Sequence, residues 1–486
     1  MAFRPSILQQ ASLYKFRYLL GYGFIIVLLL VIVLADASNT PNGLSQAEMQ
    51  QAVTSTSLHF TWNMSWVING IYNFIQQLSV EAFGLSRLTL ILPSLIFGTA
   101  TILVFSLTMR HWFSNSVAVI ATVIAITSVP FITMMRSGTP EIMLPFWTIL
   151  LLYGAVRLLV KREKAFFWKL TIVIASLGLL YTPYGIYPLV AIFASAFFHP
   201  HVRSRFRHIP RVRLFTLAII AFVGLVPLVF YMALQPSEIT RLVGIDLIEE
   251  GFGSLRANVA QIYDMYLNFP KNGFSGAQII PIYNLATVAL AILGFLKSLR
   301  DRYMARSYVL LAWAGLTLLG VLIMPELVVL TFMPVALLAA IGIDALIHEW
   351  YKLFPRNPYA RAAGLIPLTI LFLGISAGNI SHYFNNYAHI ANPYFTQSLP
   401  SIEESLIIEG DHEVILVAKE AEVPFYSILK KEFPQLKVTT ELPADAAIPT
   451  FVLPNTSKKF AAAPSRILTS DRAENSVVLR IYRPQQ

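Results

Sequence analysis

Asn39-Thr-Pro-Asn-Gly-Leu-Ser-Gln-Ala-Glu-Met49 is a short polar stretch set between two apolar runs, Leu19 to Ala35 and Leu88 to Met109. Each run comes close to the roughly 20 residues that an α-helix needs to cross a bilayer. The intervening loop, 36–87, is therefore predicted to be held at a membrane surface. Ionisable groups are costly inside hydrocarbon, so an acid-bearing loop at its edge is where chemistry is expected.

Composition agrees with that reading. The 486 residues are 56% hydrophobic and only 13% charged, too little polar surface for a water-soluble globule and right for a polytopic helical membrane protein in contact with the lipid bilayer. The net charge of +10 is then a matter of location, because Lys and Arg collect in short cytoplasmic loops. It does not indicate nucleic acid. With no cysteine, disulfides, thiolate metal sites and cysteine nucleophiles are excluded. At the N-terminus, Arg4, Lys15 and Arg17 precede the first apolar run and Ala35-Asp36-Ala37 follows it, an arrangement like a signal peptide. The run exceeds the roughly 7–15 residues of a signal-peptide core, which predicts an uncleaved first transmembrane helix.

Further spans are expected at 88–109, 116–135, 141–159, 170–182, 185–198, 214–234, 281–296, 307–323, 327–347 and 362–379. Basic clusters such as Arg157 with Lys161 and Arg162, Arg203 with Arg205 and Arg207, and Lys297 with Arg300 fall in every second loop. That alternation implies a cytoplasmic N-terminus, about eleven transmembrane helices and an extracytoplasmic C-terminus in a plasma (inner) membrane. In the first outer loop, Ser45 with Glu48 three residues on has capping-box spacing and predicts a helix over 45–57. Residues 63–83 alternate an apolar side (Ile71, Tyr72, Ile75, Leu78) with a polar one (Asn69, Asn73, Gln76, Glu81), predicting an amphipathic helix in the membrane interface. From Tyr394 onward charge rises and a β-α-β pattern appears. Strands are expected at 413–418, 437–441, 450–453 and 476–482 with a helix at 423–433. The domains are thus read as 1–393, transmembrane with its outer loop, and 394–486, a small extracytoplasmic α/β domain.

Pro41-Asn-Gly-Leu-Ser-Gln-Ala-Glu48, Leu85-Ser-Arg87 leading into Leu88-Thr-Leu-Ile-Leu-Pro-Ser-Leu-Ile-Phe-Gly98, Met134-Met-Arg-Ser-Gly-Thr-Pro-Glu-Ile-Met-Leu144 and Leu180-Tyr-Thr-Pro-Tyr184 occur in an order that resembles the protein mannosyltransferase and aminoarabinose transferase group. These are integral-membrane glycosyltransferases of the GT-C fold. The resemblance covers roughly residues 19–234 at motif level. It implies a GT-C-like fold and a polyprenyl-phosphate sugar donor, with transfer to a lipid, glycan or protein acceptor on the outer face.

The family's first loop reads Pro-x-Gly-Leu-x-x-Asp-Glu, its Asp taken as the base on the acceptor. Here that position is Ala47 and the following acid is Glu48. The resemblance therefore assigns the base to Glu48 or to Asp36 at the end of the first helix. Either acid is read equally well as a helix-capping or interfacial residue. Arg87 and Arg136 are the cations expected to steady the carrier phosphate, because a guanidinium offers a fork of donors that stays protonated. Snorkelling arginines at helix ends are the competing reading. Glu141 is a candidate for a sugar hydroxyl or for pairing with Arg136. Tyr181 and Tyr184 are candidates for a wall under a sugar ring, or simply for an aromatic belt. His59 is a possible substrate contact, but nothing beside it supplies metal-ligand spacing, so neither metal nor cofactor is assigned. Two other functions stay open: a catalytically silent homologue scaffolding envelope assembly, suggested by Ala47, and a transporter or flippase. Near-absence of charge within the predicted spans weighs against the transporter.

Overall fold

The structure, a computed structural model, describes residues 12–35, 43–57, 67–160, 165–199, 211–244, 255–267, 282–353, 358–387, 395–396, 398–443, 448–454, 463–469 and 477–483. The chain runs α1 (Ser12–Leu34), β1 (Leu44–Ser45), α2 (Gln46–Thr56), α3 (Gly70–Phe83), α4 (Arg87–Trp112), α5 (Asn115–Thr127), α6 (Val129–Met135), α7 (Met143–Val160), α8 (Ala165–Leu180) and α9 (Ile186–Phe198). It continues through α10 (Arg211–Leu234), α11 (Ser237–Val243), α12 (Leu255–Leu267), α13 (Leu285–Arg300), α14 (Ala305–Ile323), α15 (Phe332–Leu353) and α16 (Pro358–Ser381). The last part comprises β2 (Phe395–Thr396), α17 (Ser398–Glu409), β3 (Val414–Val417), α18 (Val423–Tyr426), β4 (Leu436–Thr439), β5 (Thr450–Val452), β6 (Arg466–Thr469) and β7 (Val477–Tyr482). These elements form two compact units. One comprises Met1–Ala35, Ile96–Met135 and Glu141–Ile380; the other comprises Asp36–Leu95, Arg136–Pro140 and Ser381–Gln486.

Among the described residues the first unit is all helical, and every apolar segment read from the sequence contains helix. Among the described residues, five stretches are long and apolar enough to cross a membrane: Arg87–Trp112, Pro140–Leu159, Phe215–Leu234, Ala305–Ile323 and Leu327–Leu353. A sixth is formed if α5 and α6, bent by 62°, are one broken span. Of the other segments expected to span, Leu19–Leu34, Ala165–Leu180 and Ile186–Phe198 are apolar but shorter helices. The bend follows from Ser128, whose backbone is extended (φ −64°, ψ 137°), and from Pro130, which has no N–H to continue the ladder. Phe215, Phe222, Val223 and Ile370 expose their side chains, as lipid-facing helices do. Close packing rests on small residues. A Cβ at Gly294 of α13 would lie 1.8 Å from the Leu338 carbonyl oxygen of α15, and one at Gly342 would lie 2.1 Å from that of Leu290. Only glycine permits this approach.

The second unit joins segments that are distant in sequence. Its five-stranded sheet has the order β4-β3-β5-β7-β6, with β3 parallel to β4 and β5, and β7 antiparallel to β5 and β6. The expected strands are found within a residue or two at each end. The helix expected over 423–433 is instead the short α18 followed by a 3₁₀ turn, Ser427–Lys431, while α17 and β6 were not anticipated. β1 pairs antiparallel with β2, Leu44 opposite Thr396. Leu44, Met49, Ala52, Val80, Leu85 and Leu90 share one apolar core with Ile402, Leu406, Leu416, Phe425 and Phe451. The first outer loop therefore folds with the C-terminal sheet, residues 36–95 and 381–486 belonging to one compact unit. Helical spacing is the reason: Met49 and Ala52, one turn apart, present the apolar side of α2 to that core.

Candidate active site

Three of the residues singled out in the sequence come together in the second unit. α2 begins with the predicted capping box. The Ser45 N–H donates to Glu48 Oε2 at 2.8 Å and the Glu48 N–H donates to Ser45 Oγ at 3.2 Å. The other carboxylate oxygen, Oε1, accepts from the Gly138 N–H at 2.8 Å. Glu48 is 2% exposed, whereas Ala47, which occupies the position of the family's aspartate, is exposed. Each Glu48 oxygen thus holds one backbone donor and keeps a further lone pair.

Arg87 opens α4. The turn ahead of it is fixed by Ser86 and Thr89, whose side chains and N–H groups bond reciprocally at 2.9 and 3.3 Å. Glu432 Oε1 also accepts from the Leu85 N–H at 2.6 Å, and Gly84 (φ 79°) leaves room for that carboxylate. A cation at a helix N-terminus opposes the helix dipole; buried Arg87 donates through Nη1 to the Gly43 carbonyl, just ahead of β1. Arg136, 1% exposed, stands two residues before Gly138. Its guanidinium carbon lies 5.2 Å from the Phe384 ring centroid and 5.9 Å from that of Tyr383.

Tyr383 is the focal residue that sequence reading missed. Burial pushes its phenol up to about 12, while Arg136 and Arg87 pull it down and Glu48 pushes it up. All three charged groups therefore act on one buried hydroxyl. Two guanidinium cations against one carboxylate leave an excess of positive charge, an environment suited to an anion. The available signal was its position immediately after the last apolar helix, in a π-helical turn, His382–Tyr387.

Asp36 and His59 fall outside the described residues. Glu141 is exposed in a 3₁₀ turn of the helical unit. In that unit too, the Tyr181 hydroxyl donates to the Gly224 carbonyl at 2.5 Å and the Tyr187 hydroxyl donates to that of Val243 at 2.9 Å. Tyr184, in the left-handed region (φ 63°), donates its N–H to the Leu242 carbonyl at 2.8 Å. Tyr184 and Tyr187 pin α11 against the start of α9, and Tyr181 ties the end of α8 to α10. Among the described residues, no three His, Asp or Glu side chains converge as a metal site.

Residues 71–231 match the family model described as dolichyl-phosphate-mannose-protein mannosyltransferase. No curated protein matches the chain significantly in sequence. Among solved structures, ArnT from Cupriavidus metallidurans bound to undecaprenyl phosphate is 13% identical with a TM-score of 0.56, over 98% of this chain and 100% of that one. The oligosaccharyltransferase of Archaeoglobus fulgidus tethered with an acceptor peptide is 11% identical with a TM-score of 0.53, over 88% of this chain. The same archaeal enzyme, AglB, in complex with an inhibitory peptide and a dolichol-phosphate has a TM-score of 0.52 at 11% identity, over 86% of this chain. This chain spans 64% of the archaeal protein's length. At such identities the structural likeness establishes the fold: a mostly helical, ArnT-like membrane protein with a small C-terminal sheet. The resemblance to GT-C glycosyltransferases of the mannosyltransferase and ArnT type is thus carried by a family model as well as by motif order.

Proposed function

We propose that this chain is a membrane glycosyltransferase that takes a sugar from a polyprenyl-phosphate carrier and passes it to an extracytoplasmic lipid, glycan or protein acceptor. The observation that carries the reading is that buried Glu48, Arg87 and Arg136 belong to one unit, Glu48 bonding Gly138 beside Arg136 and Arg87 bonding Gly43 just ahead of the Glu48 capping box, within a fold shared with ArnT. In the reaction an acceptor hydroxyl or amine attacks the anomeric carbon, the bond from that carbon to the phosphate oxygen breaks, and the carrier phosphate leaves with the electron pair. Arg87 and Arg136 stabilise the charge gathering on that phosphate. Glu48 takes the acceptor proton, with Asp36 as the alternative base. Glu141, Tyr181, Tyr184 and His59 are proposed as sugar or acceptor contacts. The N-terminus is cytoplasmic in this scheme and the sheet domain is outside, with the exposed apolar side of α3 (Ile71, Phe74, Leu78) resting on lipid.

Ala47 favours one competing reading, a silent homologue that scaffolds envelope assembly. Purified protein given undecaprenyl-phosphate sugars with a labelled sugar distinguishes the two. Transfer, or release of free carrier phosphate, supports the enzyme. Carrier-phosphate binding with no turnover across a broad donor panel supports the scaffold.

A further inference from the structure

The polar side of α3 has a use that amphipathicity alone does not suggest. Asn73, Gln76 and Ser79 are buried, whereas Ile71, Phe74 and Leu78 of the same helix are exposed. The buried side meets backbone that Pro93 has opened: lacking an N–H, Pro93 leaves the Thr89 carbonyl without its helical donor. The Ser79 hydroxyl supplies one at 2.9 Å. Gln76, fully buried, goes further. Its Nε2 donates to the Leu90 carbonyl at 2.8 Å and to the Gly138 carbonyl at 3.0 Å, while its Oε1 accepts from Gln51 at 3.4 Å.

Those three partners lie on the three segments that carry the site. Leu90 is in the first turn of α4, which Arg87 opens. Gly138 is two residues past Arg136 and gives its N–H to Glu48. Gln51 is three residues past Glu48 on α2 and also donates to Asn73 at 2.7 Å. We infer that Gln76 is a positioning residue: one carboxamide fixes the mutual spacing of Glu48, Arg87 and Arg136 without touching substrate. Both Nε2 hydrogens are committed to carbonyls, so no apolar or acidic side chain of similar size reproduces the arrangement. The inference rests on the glycosyltransferase reading for its catalytic consequence, though not for its geometry.

The test uses full-length protein with Gln76→Leu, set against two controls. Gln77→Leu alters the neighbouring side chain, which bonds Glu81 at the surface. Val417→Ala removes buried apolar volume from the sheet and serves to match any loss of thermal stability. Misplacing reacting groups by about 1 Å lowers rates roughly a hundredfold. Gln76→Leu is therefore expected to cut kcat about tenfold to a hundredfold with acceptor KM little changed. Both controls should keep kcat. Wild-type kcat in Gln76→Leu, or an equal loss in Val417→Ala, overturns the inference. Should the wild type transfer no sugar, the proposed function falls and the positioning role is read from amide hydrogen exchange. Faster exchange over 136–140 in Gln76→Leu than in Val417→Ala supports it, and equal exchange rejects it.

Discussion

Glu48→Gln separates chemistry from architecture, and the hydrogen bonds show how. The carboxylate accepts from two backbone N–H groups, Ser45 through Oε2 and Gly138 through Oε1, both at 2.8 Å. A carboxamide has one oxygen, so in the variant one of these donors faces an NH₂ group. An unsatisfied buried N–H costs about 1–3 kcal/mol. Loss of the negative charge also removes a counter-charge from buried Arg87 and Arg136. For a domain of about 150–250 residues, each kcal/mol lowers Tm by roughly 2–4 °C. The variant should therefore melt several degrees lower yet remain folded at room temperature, since native domains keep about 5–15 kcal/mol in hand. If Glu48 is the base, kcat falls by roughly two to four orders of magnitude, far more than that stability loss explains. The assay is turnover of a labelled lipid-linked sugar at saturating donor, beside a melting curve of the same preparation. A kcat within tenfold of wild type refutes the base assignment and leaves Glu48 as the clamp that holds Gly138 to α2.

Much of this was legible because the signals are local. Capping-box spacing located α2, short apolar runs in a more charged stretch located four strands, and apolar length located the helices. What was hidden depends on segments far apart in sequence. Nothing in residues 45–57 announces that Met49 and Ala52 share a core with Ile402 and Phe451, because an apolar helix side identifies itself and not its partner. Residues 63–83 read as an amphipathic helix, described over Gly70–Phe83, but the sequence does not say which side meets protein. The amide side turns inward together with Tyr72 and Val80, because carbonyls freed by a proline-containing helix and by the 136–140 turn need donors. Tyr383 was passed over for a similar reason. Its importance comes from charges contributed by residues 48, 87 and 136, none of them near it in the chain.

Other perturbations follow from the same contacts. Arg87→Ala should lower turnover about a hundredfold, and Arg87→Lys should restore only part of it because lysine lacks the guanidinium fork; equal rates in wild type and both variants would remove Arg87 from phosphate stabilisation. Gly342→Ala puts a methyl group where only 2.1 Å separates it from the Leu290 carbonyl oxygen, so α13 and α15 must part; a loss of several degrees in Tm is expected, and an unchanged Tm would contradict the close approach. Stability of the sheet domain should also respond to pH through Glu403 on α17. Burial, and then the neighbouring Glu432 charge, raise the Glu403 carboxyl from 4.5 to about 7. A raised carboxylate pKa means that the folded chain holds the proton more tightly than the unfolded one. The stabilisation is therefore complete below about pH 4.5 and fades as pH climbs through about 7. Because the side chain is only partly buried, its size is on the order of 1 kcal/mol. Melting curves of wild type and Glu403→Gln across that window should converge at the acid end and diverge above neutrality, with the variant the more stable. Parallel curves throughout would show that Glu403 is ionised in the folded protein like any surface carboxylate.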